Sequence, residues 1–485
     1  MAEAGPPSPL APRRAAALLL VLLVLLPLGA SLLTKRQLFA LGGLTDNWIY
    51  LGANLRVSGI LGEGDQPLVL RAPGYPLFVA GVLALALEKP GGVSHEYMVR
   101  GASAIYAAQA VLMALAGMLL FLWLSDFVSR GTAFSAGLLM ATNPYAVTLV
   151  GLVHYSVLHL FLLVAGGLAL HRMLSTDAPR RGAALAAGLV WGCATLVRST
   201  TLILPPFVLL LLLLRTRSLR RSFSAALVFT AGMGLAIAPV AIRNYRVSHR
   251  FVPVNLQAAA VLWGSTVKPL PIDPDSYRWY EIGDELVRVM APVTGAPGYS
   301  YEAFVRHHLR LEDEFAKEAL KNIELHPAVY LGNSLRNFVS FLRDTSSILI
   351  RVFGYSQPPR PWVDAMWFRR GTPRGFLPVQ PAAAYAQLGA ALTVLAALGL
   401  ALALARHDTL ALAPAAVFLC LASAHAVTHM DLLFYYQRLP FVAFFAFYGI
   451  HVLGSAVPAA RRPARLAAGL LCAASLLLTL QLLAA

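Results

Sequence analysis

Long apolar runs follow one another through this chain, at roughly 15 to 33, 101 to 124, 132 to 143, 145 to 171, 183 to 197, 201 to 214, 222 to 242, 383 to 405, 409 to 428, 440 to 457 and 466 to 484. A segment inside hydrocarbon has no water for its backbone amides, so it pairs them within itself, and a helix of about 20 residues does this while crossing the bilayer. The chain therefore reads as an all-α polytopic membrane protein. Only 13% of its residues are charged and its mean hydropathy is +0.66, against roughly 25% charged in a soluble domain. Several runs fall short of a span, which predicts kinks at Pro144, Pro205 and Pro239 or recruitment of flanking residues.

The segment 74 to 87 decides the topology, because counting it as a span moves every later loop to the other side. Read as an interfacial or re-entrant helix, it leaves Arg13, Arg14, Arg130, Arg172, Arg180, Arg181, the Arg215, Arg217, Arg220, Arg221 cluster, Arg406, Arg461, Arg462 and Arg465 on the cytoplasmic side, as the positive-inside bias requires. The first run is longer than the apolar region of about 7 to 15 residues in a signal peptide, and it reads as a retained anchor. The expected result is about eleven transmembrane helices with the N-terminus inside. The chain then divides into a transmembrane module over 1–242, which includes a first outward loop 34–100, an extracytoplasmic segment 243–382, and C-terminal transmembrane helices over 383–485.

Lysine and arginine outnumber aspartate and glutamate by 39 to 23. Dispersed among apolar segments, the excess sets topology and favours anionic lipid, and it forms no stripe for nucleic acid. Cys193, Cys420 and Cys472 lie inside apolar runs and imply no disulfide or metal framework.

Beyond the first run, Thr45-Asp46-Asn47-Trp48-Ile49-Tyr50 is followed by Arg71-Ala72-Pro73-Gly74-Tyr75-Pro76. An acid, an arginine and aromatic anchors at a membrane surface suit an anionic lipid substrate. With 46 to 56 helical, Asp46, Tyr50 and Asn54 share a face; Asp46 is then either a proton acceptor or the N-cap of that helix. Arg71 can hold two phosphate oxygens in its fork or snorkel to head groups. Arg198, Arg243 and Arg438 stand at outward helix ends, against the positive-inside bias, and together would make a positive rim for a phosphate or diphosphate. His154 and His159 lie in the outer half of a span. His425 and His429, one turn apart and followed by Asp431, suit a metal or a packed hydrogen-bonding role. Trp263, Tyr435 and Tyr436 read as interfacial belt aromatics. In the extracytoplasmic segment, 301 to 325 reads as a helix of mixed charge. A second, 327 to 343, sets Tyr330, Leu331, Leu335, Phe338 and Leu342 opposite Asn333, Arg336, Asn337 and Arg343, as in a helix lying in the interface.

The series Asp46, Arg71-Ala72-Pro73-Gly74-Tyr75-Pro76, Asn143-Pro144, Leu196-Val197-Arg198, Arg243-Asn244-Tyr245, Asn322-Ile323 to Tyr330 around His326-Pro327, and Arg438-Leu439-Pro440 resembles the polytopic glycosyltransferases of the C-type fold. The resemblance is to the glycosyltransferase family 39 and protein mannosyltransferase-like group, which includes the lipid A aminoarabinose transferase, and it extends over about 15 to 457. It implies transfer of a sugar from a polyprenyl-phosphate carrier to a lipid, glycan or protein acceptor on the extracytoplasmic face of the inner (plasma) membrane. By resemblance Asp46 is the general base, Arg71 holds the carrier phosphate and Tyr50 is the loop aromatic near the acceptor. Asn47, Tyr75, Arg198, Arg243, Arg438 and His154 complete the expected substrate-binding set. The chain departs from the pattern where Asn47 replaces the Glu that often follows the Asp, and where Val157 or Leu158 replaces an acid opening a later outward helix. No cofactor is implied. The other function class is a non-catalytic lipid-linked-sugar carrier or flippase, for which charges at mid-membrane depth and repeat symmetry are expected; neither is evident here.

Overall fold

The computed structural model describes residues 15–25, 47–176, 179–269, 283–298, 300–342, 379–428, 436–456 and 461–484. Asp46, His429, Asp431 and Tyr435 lie outside the described residues. In chain order the helices are α1 (Ala15–Leu25), α2 (Trp48–Ser58), α3 (Gly74–Ala86), α4 (His95–Leu124), α5 (Arg130–Thr142), α6 (Pro144–Val150), α7 (Ser156–Leu174), α8 (Arg181–Val197), α9 (Leu204–Thr216) and α10 (Leu219–Ser248). Then follow α11 (Ala258–Gly264), α12 (Gly283–Thr294), α13 (Tyr301–Leu325), α14 (Pro327–Leu342), α15 (Val379–Ala405), α16 (Ala413–Val427), α17 (Leu439–Ala456) and α18 (Arg461–Ala484). Among the described residues six helices are long and apolar enough to cross a membrane. The molecule is a multi-pass, helical membrane protein.

The prolines act differently from one another. Asn143, before Pro144, is pushed to φ −59 and ψ 135 and ends α5, as a residue preceding proline must be; its Oδ1 accepts from the Tyr145 amide at 3.0 Å. Pro205 sits in the first turn of α9, where a missing amide costs nothing, whereas α10 runs through Pro239 for 30 residues. The apolar run 145 to 171 is interrupted at 151–155, between α6 and α7, so it is two helices joined by a polar turn.

One element was not anticipated. A two-stranded antiparallel hairpin, β1 (Gly62–Glu63) and β2 (Gln66–Pro67), follows α2. Its turn holds Gly64 at φ +59, a conformation that glycine adopts without steric cost. Asn54 Nδ2 donates to the carbonyls of Ile60, Gly62 and Gly64 at 2.9 to 3.1 Å. The polar face of α2 therefore holds this hairpin and does not lie open along the bilayer surface.

The main core is centred on α4, α5, α7, α8 and α17. α8 and α10 touch backbone to backbone: a Cβ on Gly188 would overlap the Phe229 carbonyl, one on Gly192 would lie 2.8 Å from the Met233 carbonyl oxygen, and one on Gly232 would lie 2.5 Å from that of Leu185. α3, 13 residues long, measures about 20 Å and is too short to span about 30 Å of hydrocarbon. It seats Tyr75, Val79 and Leu83 inward.

A smaller core joins α11, α12 and α13 through Trp263, Leu286, Met290, Leu311 and Phe315. Trp263, expected as a belt aromatic, is buried there against Phe315 at 5.0 Å. Arg250 binds Asp313 through both guanidinium nitrogens at 2.7 Å, and Glu312 accepts from the Ala259 amide at 2.7 Å, which ties this core to the end of α10. α14 separates the two faces read from its sequence. Its asparagines face inward: Asn333 Nδ2 donates to the carbonyls of Ser265 and Lys268 at 2.9 Å. The leucines face out, because at the edge of a bundle the amides find carbonyl acceptors in the protein and the hydrocarbon groups do not need them.

Candidate active site

The start of α2, the turn after Leu70, the 151–155 turn, the end of α8 and the approach to α17 converge on one corner of the bundle. Trp48 is its centre, with edge-on contacts to Tyr75 at 5.9 Å, His154 at 6.5 Å and Tyr155 at 5.3 Å. The Arg71 guanidinium lies over the Trp48 ring, 5.3 Å from its centroid. The Arg198 guanidinium lies 5.3 Å from the Tyr155 ring centroid, and its Nη1 also donates to the Tyr155 hydroxyl. Two arginines thus stand over two rings that touch each other.

Local sequence explains each placement. Pro73 occupies the cap of α3 and Gly74 packs on the backbone of Leu196, where a Cβ would come within 2.8 Å, so Arg71 and Arg198 are brought to the same place by one close contact. The Tyr75 hydroxyl donates to Gln109 Oε1 at 2.8 Å, and Gln109 Nε2 donates to the carbonyls of Val150 and Leu152 at 2.9 and 2.8 Å. Gln109 thereby fixes the turn that carries His154 and Tyr155. His154 Nδ1 pairs with Ser156 Oγ at 2.5 Å. Burial, then the charges of Arg198 and Arg71, push the His154 imidazole down to about 3, so it is neutral at physiological pH and serves as a hydrogen-bonding group. At the back, the Tyr436 hydroxyl bonds His159 Nδ1 at 2.8 Å, and the Tyr436 amide donates to the Tyr145 hydroxyl at 3.0 Å.

Of the residues singled out in the sequence, Arg71, Tyr75, His154 and Arg198 come together here. Asn47 is adjacent, as the cap of α2, with φ 56 and no side-chain capping bond. The helix thus begins at Trp48 with Asn47 as its cap, later than the expected start at 46. The Tyr50 hydroxyl accepts from the Gly64 amide at 3.2 Å and serves the hairpin. Arg243 donates to the carbonyls of Leu68 and Leu61 at 2.5 and 2.6 Å. Arg438 is buried and donates to Thr393 Oγ1 at 2.8 Å. His425 stacks on Phe341 and pairs with Gln437 at 3.3 Å. Among the described residues no group of three or more His, Cys, Asp or Glu gathers as for a metal.

Sequence reading missed Trp48, Tyr155, Gln109 and Tyr436 as members of the corner. Tyr436, expected in the interfacial belt, is wholly buried. A signal existed for Gln109, a lone amide inside an apolar run, since a polar group at that depth needs protein partners.

Residues 96–243 match the family described as dolichyl-phosphate-mannose-protein mannosyltransferase. No curated protein matches the chain. The structure is similar to that of the oligosaccharyltransferase AglB from Archaeoglobus fulgidus in complex with an inhibitory peptide and a dolichol-phosphate, at TM-score 0.54 and 14% identity over 96% of this chain and 55% of that one. A second structure of the Archaeoglobus fulgidus oligosaccharyltransferase, with zinc and sulfate, aligns at TM-score 0.50 and 12% identity, covering 91% of this chain and 49% of that one. This chain thus spans about half the length of the proteins in those structures. ArnT from Cupriavidus metallidurans bound to undecaprenyl phosphate aligns at TM-score 0.39 and 15% identity, covering 90% of this chain and 77% of that one. The chain thus shares the C-type fold of these membrane proteins, and residues 96–243 are similar in sequence to the protein mannosyltransferase family.

Proposed function

We propose that the protein transfers a sugar from a polyprenyl-phosphate-linked donor to an acceptor on the extracytoplasmic face of the plasma membrane, with inversion at the anomeric carbon. The observation that carries this reading is the convergence of Arg71 and Arg198 on the Trp48, Tyr155 and His154 corner, where both charges act on the same imidazole. Two guanidinium groups over aromatic rings make a corner for a phosphate whose substituent is apolar on one side and a sugar on the other. The AglB structure holds a dolichol-phosphate, which supports a carrier of this chemical class. Asp46 is two residues before Trp48, so the covalent chain keeps its Cα within about 7 Å of that of Trp48.

In the proposed reaction the acceptor oxygen attacks the anomeric carbon on the face opposite the phosphate. Its proton passes to the Asp46 carboxylate as the new C–O bond forms, and the old C–O bond breaks with its electrons left on the lipid phosphate. Arg71 and Arg198 stabilise that charge, and preorganised cations do so without reorganising at the moment of reaction. Neutral His154 offers a hydrogen bond to the sugar or the phosphate. Arg243, with both terminal nitrogens on carbonyls, holds the hairpin.

The test is turnover of purified protein on a panel of polyprenyl-phosphate sugars, comparing the wild type with Asp46→Asn. The substitution keeps size and removes basicity, so turnover is expected to fall about 100-fold or more while folding and carrier binding persist. Near-normal turnover by a folded Asp46→Asn protein removes the base assignment. A wild type that moves lipid-linked sugars between leaflets and forms no product is a flippase.

A further inference from the structure

α14 presents its apolar residues to the outside of the protein. Leu331 and Leu335 are each 65% exposed, Val339 44% and Leu342 38%, while Asn333, Asn337 and Phe341 are buried. At about 100° per residue the four exposed side chains form one stripe roughly 80° wide, on the side away from the asparagines. In water such a stripe is unfavourable, and its surroundings indicate what covers it.

The helix docks along α16, an apolar helix of the membrane bundle. The Tyr330 hydroxyl donates to the Val427 carbonyl at 3.2 Å and Asn337 Nδ2 to that of Thr428 at 3.4 Å, at the end of α16. Phe341 then stacks on His425 and meets Phe418, each at 5.2 Å. Phe418 precedes Val427 by nine residues, about 13 Å of helix at 1.5 Å per residue, so the last turn of α14 reaches well along α16 from that end. The exposed Leu419 and Val427 of α16 extend the same apolar surface. Composition changes at His326-Pro327: α13 is rich in charge, whereas Arg336 is the one charged residue of the 16 in α14.

We infer that the leucine stripe of α14 is immersed in the bilayer leaflet beside this end of α16, with lipid acyl chains as its partner. The occupant is lipid and not a second protein because the stripe continues the bilayer-facing surface of α16 and carries no charge of its own. The segment 243–382 is then anchored in the membrane at α14, and the small core of α11 to α13 is held at the bilayer surface through Asn333. Nothing in this depends on the reaction proposed above.

The test uses the full chain with the photoreactive residue p-benzoylphenylalanine in place of Leu335, Val339, Leu419 or Lys321, reconstituted into vesicles of palmitoyl-oleoyl phosphatidylethanolamine and phosphatidylglycerol. After illumination, intact-protein mass spectrometry reads the adduct. Positions 335 and 339 are expected to gain a lipid mass as abundantly as 419, and 321, on the charged helix with a side chain 62% exposed, is expected to gain none. Two stripe positions keep the test decisive if one variant fails to fold. Absence of lipid adducts at 335 and 339 while 419 reacts, or a covalent pair of chains at those positions, overturns the inference.

Discussion

At the end of α8 the Arg198 guanidinium meets a tyrosine hydroxyl and lies against a tyrosine ring, while near the end of α10, the neighbouring helix, Arg243 donates to the carbonyls of Leu61 and Leu68. Arg198 caps α8 and Arg243 lies five residues before the end of α10, and in sequence each closes an apolar run. The difference lies in what surrounds them. A hairpin passes over α10 and presents carbonyls that need donors, so Arg243 becomes part of the frame. An aromatic corner faces α8, and Arg198 meets a tyrosine ring and a tyrosine hydroxyl there.

The sharpest way to break this comparison is to truncate the arginines in turn. Arg198→Ala and Arg71→Ala are expected to weaken polyprenyl phosphate binding by roughly 2 to 5 kcal/mol while the thermal unfolding of the protein stays nearly unmoved. Unchanged affinity in both would mean that the aromatic corner is structural, like the hairpin. The reverse pattern is expected for Arg243→Ala: stability falls by about 2 kcal/mol as two carbonyls lose their donors, and carrier affinity is retained once the protein is folded. Loss of affinity as large as that of Arg198→Ala, with stability intact, would place Arg243 in the site.

A smaller effect tests a third arginine, Arg250, just beyond α10. Its guanidinium holds the Asp313 carboxyl below the usual carboxylate range. The folded state therefore binds fewer protons than the unfolded one near pH 4, so the pair contributes stability above the ordinary carboxylate pKa and loses it as pH falls through the depressed value. Both side chains are more than a third exposed, and the contribution stays under about 1 kcal/mol. Amide exchange in α13 should quicken as pH falls from about 5 to 3, after correction for intrinsic rates. Arg250→Gln should remove that dependence, and an unchanged profile would show that the pair contributes nothing.

Helix positions were legible because hydropathy reports them directly, and the order of motifs was enough to indicate the fold. Orientation was not. Hydropathy cannot separate a side chain that faces lipid from one that faces protein, so Tyr436 and Trp263 read as belt residues although both are buried. α14, by contrast, separates the two faces that the sequence predicts, with its asparagines toward the protein. Half of the site was visible as arginines in unexpected places; its rings were hidden because Trp48, Tyr155 and Tyr436 meet only through contacts far apart in the chain. The interruption at 151–155, with His154-Tyr155-Ser156 inside an apolar run, was the readable trace of that corner.

The glycine contacts between α8 and α10 bear on how proteins of this design can diverge. With Gly188, Gly192 and Gly232 leaving no room for a methyl group, the two helices behave as one rigid post, and the spacing between Arg198 and Arg243 is set at its middle. Leucines on the outer surface of the post can drift freely, because they touch nothing that fixes that spacing. One added methyl at position 188 would displace Arg198 and Arg243 in a single event. Divergence in this fold is therefore expected to come by changing loops around an unmoved post, and seldom by changing the post.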